Sequence, residues 1–465
     1  IEGLGDDNIV GPFSIGFDFP YYWYPVNQFY VGSNGYLRFS FSGQWAQPFP
    51  GIPDPAEPND VLAVLVADLL FGGASTGRAY YYSNGVDSLV VSFIQVPGWS
   101  TGGSHTFQVV LNRADSTITY QYGPQQGTFS NDETLIGIEN ATGTVGLQYL
   151  ADLQPSQNLP HDSLALVFTP PDSTSYQAHD AGVVYVQNKY SGGFFVHPGG
   201  PTTLWCKVKN VGNQPEGSFD VTCEVRNPSN QVVYRDTVTV APMNPGDEDS
   251  VVFSPDWVPS ATGQYRLTAT TRLTGDMNPN NNSVLVECRV VLYPGALLFD
   301  DGGNEFEWSW EWTPGQEAGM GTRFVPPSYP CRIDSISYYI TYLSAIPLVW
   351  RVYDDDGPDG YPGTILAVDS IMPSAVPSWC TANLASFNLV INDGSFYLAW
   401  IQIGADPPRL GIDETPPISR QALEYTGTWA EFRDKNTRDL MIRAWVNYGV
   451  GVDELTDAGC RMPDA

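Results

Sequence analysis

Residues 11–39 read GPFSIGFDFPYYWYPVNQFYVGSNGYLRF, and this stretch constrains the fold more than any other. Phe13, Ile15, Phe17 and Phe19 alternate with small or polar residues. That period of two belongs to a strand with one buried face and excludes a helix. Two short apolar runs, 29–31 and 36–39, flank Ser33-Asn34-Gly35. Asn-Gly supplies the positive φ angles that tight hairpin turns need. The stretch therefore predicts a hairpin of a twisted antiparallel sheet, with Tyr21–Tyr24 as an aromatic corner. It holds no residue pattern that carries reaction chemistry.

The rest of the chain repeats this style. Aromatic residues at 13%, with 46 Gly and 38 Pro, favour short strands joined by turns over helices. A chain of 465 residues is too long for one core and predicts two to four domains. Residues 1–170 show strand-like runs at 61–70, 78–82, 88–96, 106–112, 117–122, 135–139, 145–149 and 163–168, with Asn, Gly and Asp between them. That spacing indicates a sandwich. The Pro-rich stretch at 47–58 interrupts the strands, and a Thr-Pro-Pro-Asp-Ser-Thr run (169–174) marks a linker over 171–177. Residues 178–292 contain seven runs, at 181–186, 202–209, 218–226, 231–240, 248–253, 263–271 and 282–291, an immunoglobulin-like count. Residues 293–450 form a third β unit, and periodicity is lost over 451–465. The expected class is all-β, with three serial β-sandwich domains.

Charge limits the partners. There are 21 basic residues against 51 acidic ones, a formal net charge of −30. Nucleic acid is excluded, because binding it requires Lys and Arg to displace counterions. Compatible partners are cations (Ca²⁺ above all), neutral carbohydrate and other protein surfaces, including self-association. No stretch reaches the roughly 18–20 apolar residues that span a bilayer, so no membrane insertion is expected. The longest apolar run, 61–70, already contains Asp68. The first residue is Ile1, which predicts a processed or partial product with sequence upstream of it.

Cys206, Cys223, Cys288, Cys331 and Cys380 lie in or beside strand-like runs, and Cys460 lies in the polar tail. None is in a C-x-x-C pair and only four histidines occur, which argues against structural zinc. Buried thiols or disulfides both suit the first five. In an exported protein the disulfide candidates are Cys331–Cys380 and one pair among Cys206, Cys223 and Cys288. Cys460 is open to a free thiol, an intermolecular bridge or a partner in the core.

Family resemblances emerge at particular residues. VGPFSIGFDFPYYW, FYVGSNGYLRF, LVVSF, TFQVVL and TLIGIENATGTVGLQYL resemble a nidogen-like extracellular domain, over most of residues 6–168. This version recurs in large secreted proteins of Bacteroidetes-like bacteria and related candidate phyla. HDAGVV, VKNVGN, DVTCEV, VVFSPDW, GQYRLTATT and GDMNPNNNS resemble the cell-adhesion-related immunoglobulin-like module of bacterial surface proteins. That resemblance implies turns at the two Asn-rich motifs and a core capped by Trp257. ALLFDDGGNEFEWSWEW, LVWRVYDDDGPDGYPGTIL and RDLMIRAWV are similar to a jelly-roll domain of the same class of secreted protein. The tail GVDELTDAG resembles the lead-in to a type IX secretion sorting domain.

Two acidic segments are candidate sites. In Asp354-Asp355-Asp356-Gly357-Pro358-Asp359-Gly360, the carboxylates of Asp354, Asp356 and Asp359 have the oxygen chemistry to converge on one Ca²⁺. It is not an EF-hand, because Ile365 stands where the bidentate Glu should be. The competing reading is an acidic hairpin turn, for which Asp and Gly are suited. The second segment, Asp300-Asp301-Gly302-Gly303-Asn304-Glu305, leads to Glu307 and Glu311 among Trp308, Trp310 and Trp312. Two carboxylates beside tryptophans suit a glycosidase or a sugar platform. The alternation of the tryptophans favours a packed strand face instead. Asn140-Ala141-Thr142 and Asn281-Asn282-Ser283 fit the N-glycosylation pattern, although turns explain both. His105, His161, His179 and His197 are scattered, and no nucleophile elbow, H-E-x-x-H pair or phosphate-binding loop is present. The expected function is that of a non-catalytic extracellular or cell-surface protein for adhesion or structure, extending to a filament subunit. The alternative is an accessory binding region of a larger secreted hydrolase.

Overall fold

The computed structural model describes residues 1–5, 7–39, 51–54, 59–71, 75–129, 134–141, 143–170, 177–310 and 317–448. Strands dominate it, and the helical elements among the described residues are three single 3₁₀ turns.

The first sandwich packs two sheets face to face. One has the order Ile9–Tyr21, Tyr24–Gly32, Tyr36–Arg38, Val61–Val66, Leu135–Glu139, Gly146–Ala151. The other has the order Ala165–Phe168, Thr117–Gln126, Gly102–Asn112, Ser88–Gly98, Arg78–Ser83. Alternation creates the core: Leu89, Val91, Phe93 and Val96 point inward while the residues between them do not. They meet Ile15, Phe19, Phe29 and Val31 of the facing sheet in one apolar cluster. Val61–Val66 is buried on both faces, because Tyr36, Ile52 and Leu135 form a second small cluster behind it. The turn expected at Ser33-Asn34-Gly35 is present, with Gly35 at φ +83° and its N–H donating to Gly32 O.

The second unit places Ala181–Val186, Trp205–Asn210 and Glu248–Val252 against a five-stranded sheet. That sheet runs Phe194–Val196, Ser283–Val290, Gly263–Arg272, Phe219–Arg226, Val232–Val240. Its first pair is parallel. Trp257 is buried and packs on Tyr265 with ring centroids 5.3 Å apart. The Asn-rich motifs are turns with work to do: Asn278 and Asn281 donate to the Asp180 carboxylate, and Asn213 Oδ1 accepts from Ala178 N–H.

The third unit opposes a six-stranded sheet, running from Ile365–Ile371 to Trp429–Glu431, with an eight-stranded one built around Cys331–Ile340 and Ile442–Tyr448. Trp350 and Trp400 fill its core. Phe195 belongs to that core as well, packing on Phe299 at 4.7 Å although its strand pairs with the second unit.

The expected disulfides are a correction. Cys206, Cys223, Cys288, Cys331 and Cys380 are all free and buried. Cys331 pairs with Ile391, whereas Cys380 pairs with Tyr338, seven positions further along the same strand. At about 3.3 Å per residue that offset is roughly 23 Å, while a disulfide needs Cα atoms within about 7 Å. Cys223 and Cys288 share a sheet but are separated by the intervening strand and a four-residue offset; Cys206 faces Cys223 from the opposite sheet, near enough to add to burial in raising its pKa, and the two are free thiols. All five fill apolar space as small side chains. Burial pushes the Cys331 thiol up to about 11 and that of Cys206 to about 12, so both stay protonated and unreactive. Cys460 lies outside the described residues.

Candidate functional site

The first two strands pair from Ile9↔Gly32 to Tyr21↔Tyr24, leaving Tyr22 and Trp23 as a two-residue loop. Both have positive φ, +43° and +72°. Such loops ordinarily take Asn-Gly, because a side chain in the left-handed region crowds its own backbone. Two aromatics there cost about 1–3 kcal/mol each, strain that surrounding structure has to hold. The clamps are on either side. Tyr21 Oη lies 2.6 Å from Glu139 O and 2.9 Å from Val61 O. Tyr24 Oη donates to Asp60 Oδ1 at 2.6 Å and accepts from Ala141 N–H at 3.0 Å. Tyr22 Oη donates to Ile138 O at 3.3 Å, and its ring meets Tyr21 edge-on at 4.9 Å. Burial raises the Tyr21, Tyr22 and Tyr24 phenols above their ordinary range, so all three remain neutral donors.

This loop forms one wall of an apolar groove of about 290 Å³, with Ile118, Leu147, Phe168 and Pro170 among the other walls. Leu147 is 58% exposed at its rim. The groove lies between Gly146–Ala151 and Ala165–Phe168, each of which is the last strand of its sheet among the described residues. Apolar side chains, two strained aromatics and two strand edges thus coincide at the open side of the sandwich. A depression of about 780 Å³ over the bulged first strand is larger but polar and open. The sequence reads Tyr21–Tyr24 as an aromatic corner, which places no positive-φ loop or groove there. The missed signal was the absence of any turn-forming residue between two runs that pair as a hairpin.

The acidic segments are tied by hydrogen bonds and ion pairs where they are described. Asp356 accepts from Thr364 N–H and Thr364 Oγ1, both at 2.6 Å, which closes the loop and holds its carboxyl below the usual range. Asp354 Oδ1 accepts from Asp355 N–H, and Asp355 ties the loop to Ser395 N–H and Oγ. The Asp359 side chain lies outside the described residues. No three His, Cys, Asp or Glu side chains gather at one point among the described residues. In the second segment Asp300 is fully buried against the Arg443 guanidinium, which stacks on Trp379. Glu307 bonds to Thr341 and to Arg409, and these partners lower its pKa. Trp308 and Trp310 pack against the third core, as their alternation predicts. Glu311 and Trp312 lie outside the described residues.

The histidines do not converge. His105 is buried, stacked on Phe129 and bonded through Nδ1 to Gln125, with burial lowering its pKa. His197 bridges Val291 O and Ser328 Oγ, and His179 pairs with Glu216.

Residues 1–176 match a family model described as NIDO related, and residues 195–283 match the CARDB model. Bacillopeptidase F of Bacillus subtilis (strain 168) is 30% identical over 184 residues, which are 35% of this chain and 12% of that protein. The chain therefore spans about an eighth of the length of that relative. Among solved structures, a CARDB domain from Pyrococcus furiosus is 24% identical over 25% of this chain and 97% of that one, with a TM-score of 0.21. The cysteine protease Cwp84 of Clostridium difficile is 9% identical over 49% of this chain and 58% of that one, with a TM-score of 0.23. The chain carries a nidogen-related domain followed by a CARDB domain, both modules of a binding or adhesion type.

Proposed function

We propose that this chain is a non-catalytic extracellular or cell-surface protein for adhesion or assembly. It works by taking up an extended segment of a protein partner at the open edge of its first sandwich. The observation that carries the reading is the groove at Tyr22 and Trp23, flanked by two last strands. Unpaired strand edges are templates for an added strand, and an apolar groove beside them selects its side chains. A strand from a second copy fits the same chemistry, which is the route to a filament. Export by the type IX route and a Bacteroidetes-like source belong to this reading on sequence resemblance alone.

The second reading, an accessory region of a larger secreted hydrolase, is favoured by the likeness to part of Bacillopeptidase F. Both readings place the chain outside the cell. Antibody against the chain is expected to label intact producing cells or their surrounding matrix as strongly as permeabilised cells. Labelling that needs permeabilisation contradicts both.

A further inference from the structure

The five-stranded sheet of the first sandwich has a second, outward face. Its strand Ser88–Gly98 alternates over 88–94: buried Leu89, Val91 and Phe93 on one side, part-exposed Val90, Ser92 and Ile94 on the other. The pairing registers align the outward residues into rows. One row is Tyr82, Val90, Val110, Thr119, Val167, and the next is Tyr80, Ser92, Gln108, Gln121, Ala165. In the second row Ser92 Oγ donates to Gln108 Oε1 at 3.0 Å, and Gln108 Nε2 donates to Gln121 Oε1 at 2.6 Å. Tyr80 and Tyr82 stand at the edge, 56% and 66% exposed. Tyr81 between them turns inward onto Phe13 and Phe29.

Neither row contains a charged residue, in a chain with a net charge of −30. The five-stranded sheet of the second unit is the contrast. Its outward positions carry Asp220, Glu224, Arg226, Arg235 and Arg266, with Glu224 paired to both Arg226 and Arg235. A solvated sheet face normally looks like that one. These two rows carry none of the molecule's acidity, and the next outward position along the edge strand is a cation, Arg78.

We infer that this face is a binding platform for a neutral polysaccharide chain. Tyrosine rings offer apolar planes with a hydroxyl at the rim, suited to the C–H faces of sugars. The amide and hydroxyl row supplies neutral donors and acceptors for sugar hydroxyls. An acidic polymer is repelled by the whole molecule, and a basic partner finds no carboxylate in these rows. A second copy fits less well. Five strands at about 4.8 Å, each lending about eight residues at about 3.3 Å, give roughly 630 Å². A stable protein interface needs about 800 Å² on each side. The face shares the strand Ala165–Phe168 with the groove at Tyr22 and Trp23, but Tyr80, Tyr82 and Gln121 do not line the groove, so variants there test the face alone.

The test is depletion of the purified chain by insoluble cellulose, β-1,3-glucan and chitin, at low and at molar salt. At least one of the three is expected to retain it, with little dependence on salt. Tyr80→Ala/Tyr82→Ala and, separately, Gln121→Glu are expected to reduce retention about tenfold or more, a loss of roughly 1.4 kcal/mol. Both variants alter outward positions, and unchanged melting temperatures show that the fold is intact. Retention by none of the three overturns the proposal, as does retention that survives both variants. A wild-type dimer in sedimentation that Gln121→Glu turns into monomer also overturns it and assigns the face to a second copy. Loss of glycan retention leaves the groove untouched.

Discussion

At the scale of single residues, Asp356 shows how one sequence pattern serves two chemistries. Its two carboxylate oxygens are engaged by the backbone and hydroxyl of Thr364. Gly363 is required beside it, because a Cβ there would collide with Asp356 Oδ1. A calcium loop and a tight acidic turn both need Asp and Gly at this spacing, so the pattern alone does not separate them. Thr364 adds a hydrogen-bonded closure of the turn, a contact that spans eight residues and is invisible to motif spacing. Asp356→Ala is expected to lower the melting temperature by a few degrees, equally with calcium and with chelator. A drop seen with calcium alone returns the ion to Asp354, Asp356 and Asp359. Tyr22 and Trp23 make the converse point, since nothing in their identity announces a left-handed loop.

At the scale of strands, the period-two pattern was legible and the pairing was not. The alternation in 13–19 and 88–93 and the Asn-Gly turn at 34–35 are local, and the strands formed where they indicate. Val61–Val66 was legible as apolar, but its partner Leu135–Glu139 comes from far along the chain. Register decides which cysteines can meet, and it is a long-range property; the Cys331–Cys380 expectation failed there. The tryptophan stretch shows a limit of period alone. Its strand, Phe306–Trp308, ends before Trp310, yet both rings still pack inward because Phe432 and the Arg433 guanidinium receive them. The neutral rows were present in the sequence as every second residue of 80–82, 90–92 and 108–110. Their meaning depends on lateral alignment, which the sequence does not print.

At the scale of the whole molecule, each unit touches the other two. Asp7 lies 3.8 Å from the Arg433 guanidinium, joining first and third units. Lys209 Nζ sits 4.2 Å from the centre of the Tyr24 ring, joining first and second. Gln421 Nε2 donates to Gly193 O at 2.8 Å and Arg289 donates to Asp300 O, joining second and third. That last junction carries Glu287, paired to Arg289 and Gln264, and Asp439, which accepts from Ser419. Burial pushes Glu287 up to about 8 and Asp439 to about 7, with Asp413 nearby adding to the latter. The folded state thus holds protons that the unfolded chain releases near pH 4. The stability they contribute is full below that pH and is lost as pH rises through about 7 to 8. Glu307 and Glu317, lowered by their hydrogen-bonding partners, act oppositely and lose their contribution as pH falls below the ordinary carboxylate range. Thermal unfolding is therefore expected to be hardest near about pH 5 and easier by about pH 8, with Glu287→Gln/Asp439→Asn flattening that decline. A melting temperature that climbs from pH 5 to 8 contradicts the buried-carboxyl assignment. In the proposed function the partner binds at the strained loop of the first sandwich. The direct measurement is attachment of coated beads to producing cells, comparing wild type with Tyr22→Asn/Trp23→Gly. That variant keeps a hairpin loop suited to positive φ while emptying one wall of the groove. Wild-type beads are predicted to attach, and variant beads of equal melting temperature to attach about tenfold less, a change of roughly 1.4 kcal/mol. Equal attachment of both, or attachment of neither, contradicts the account.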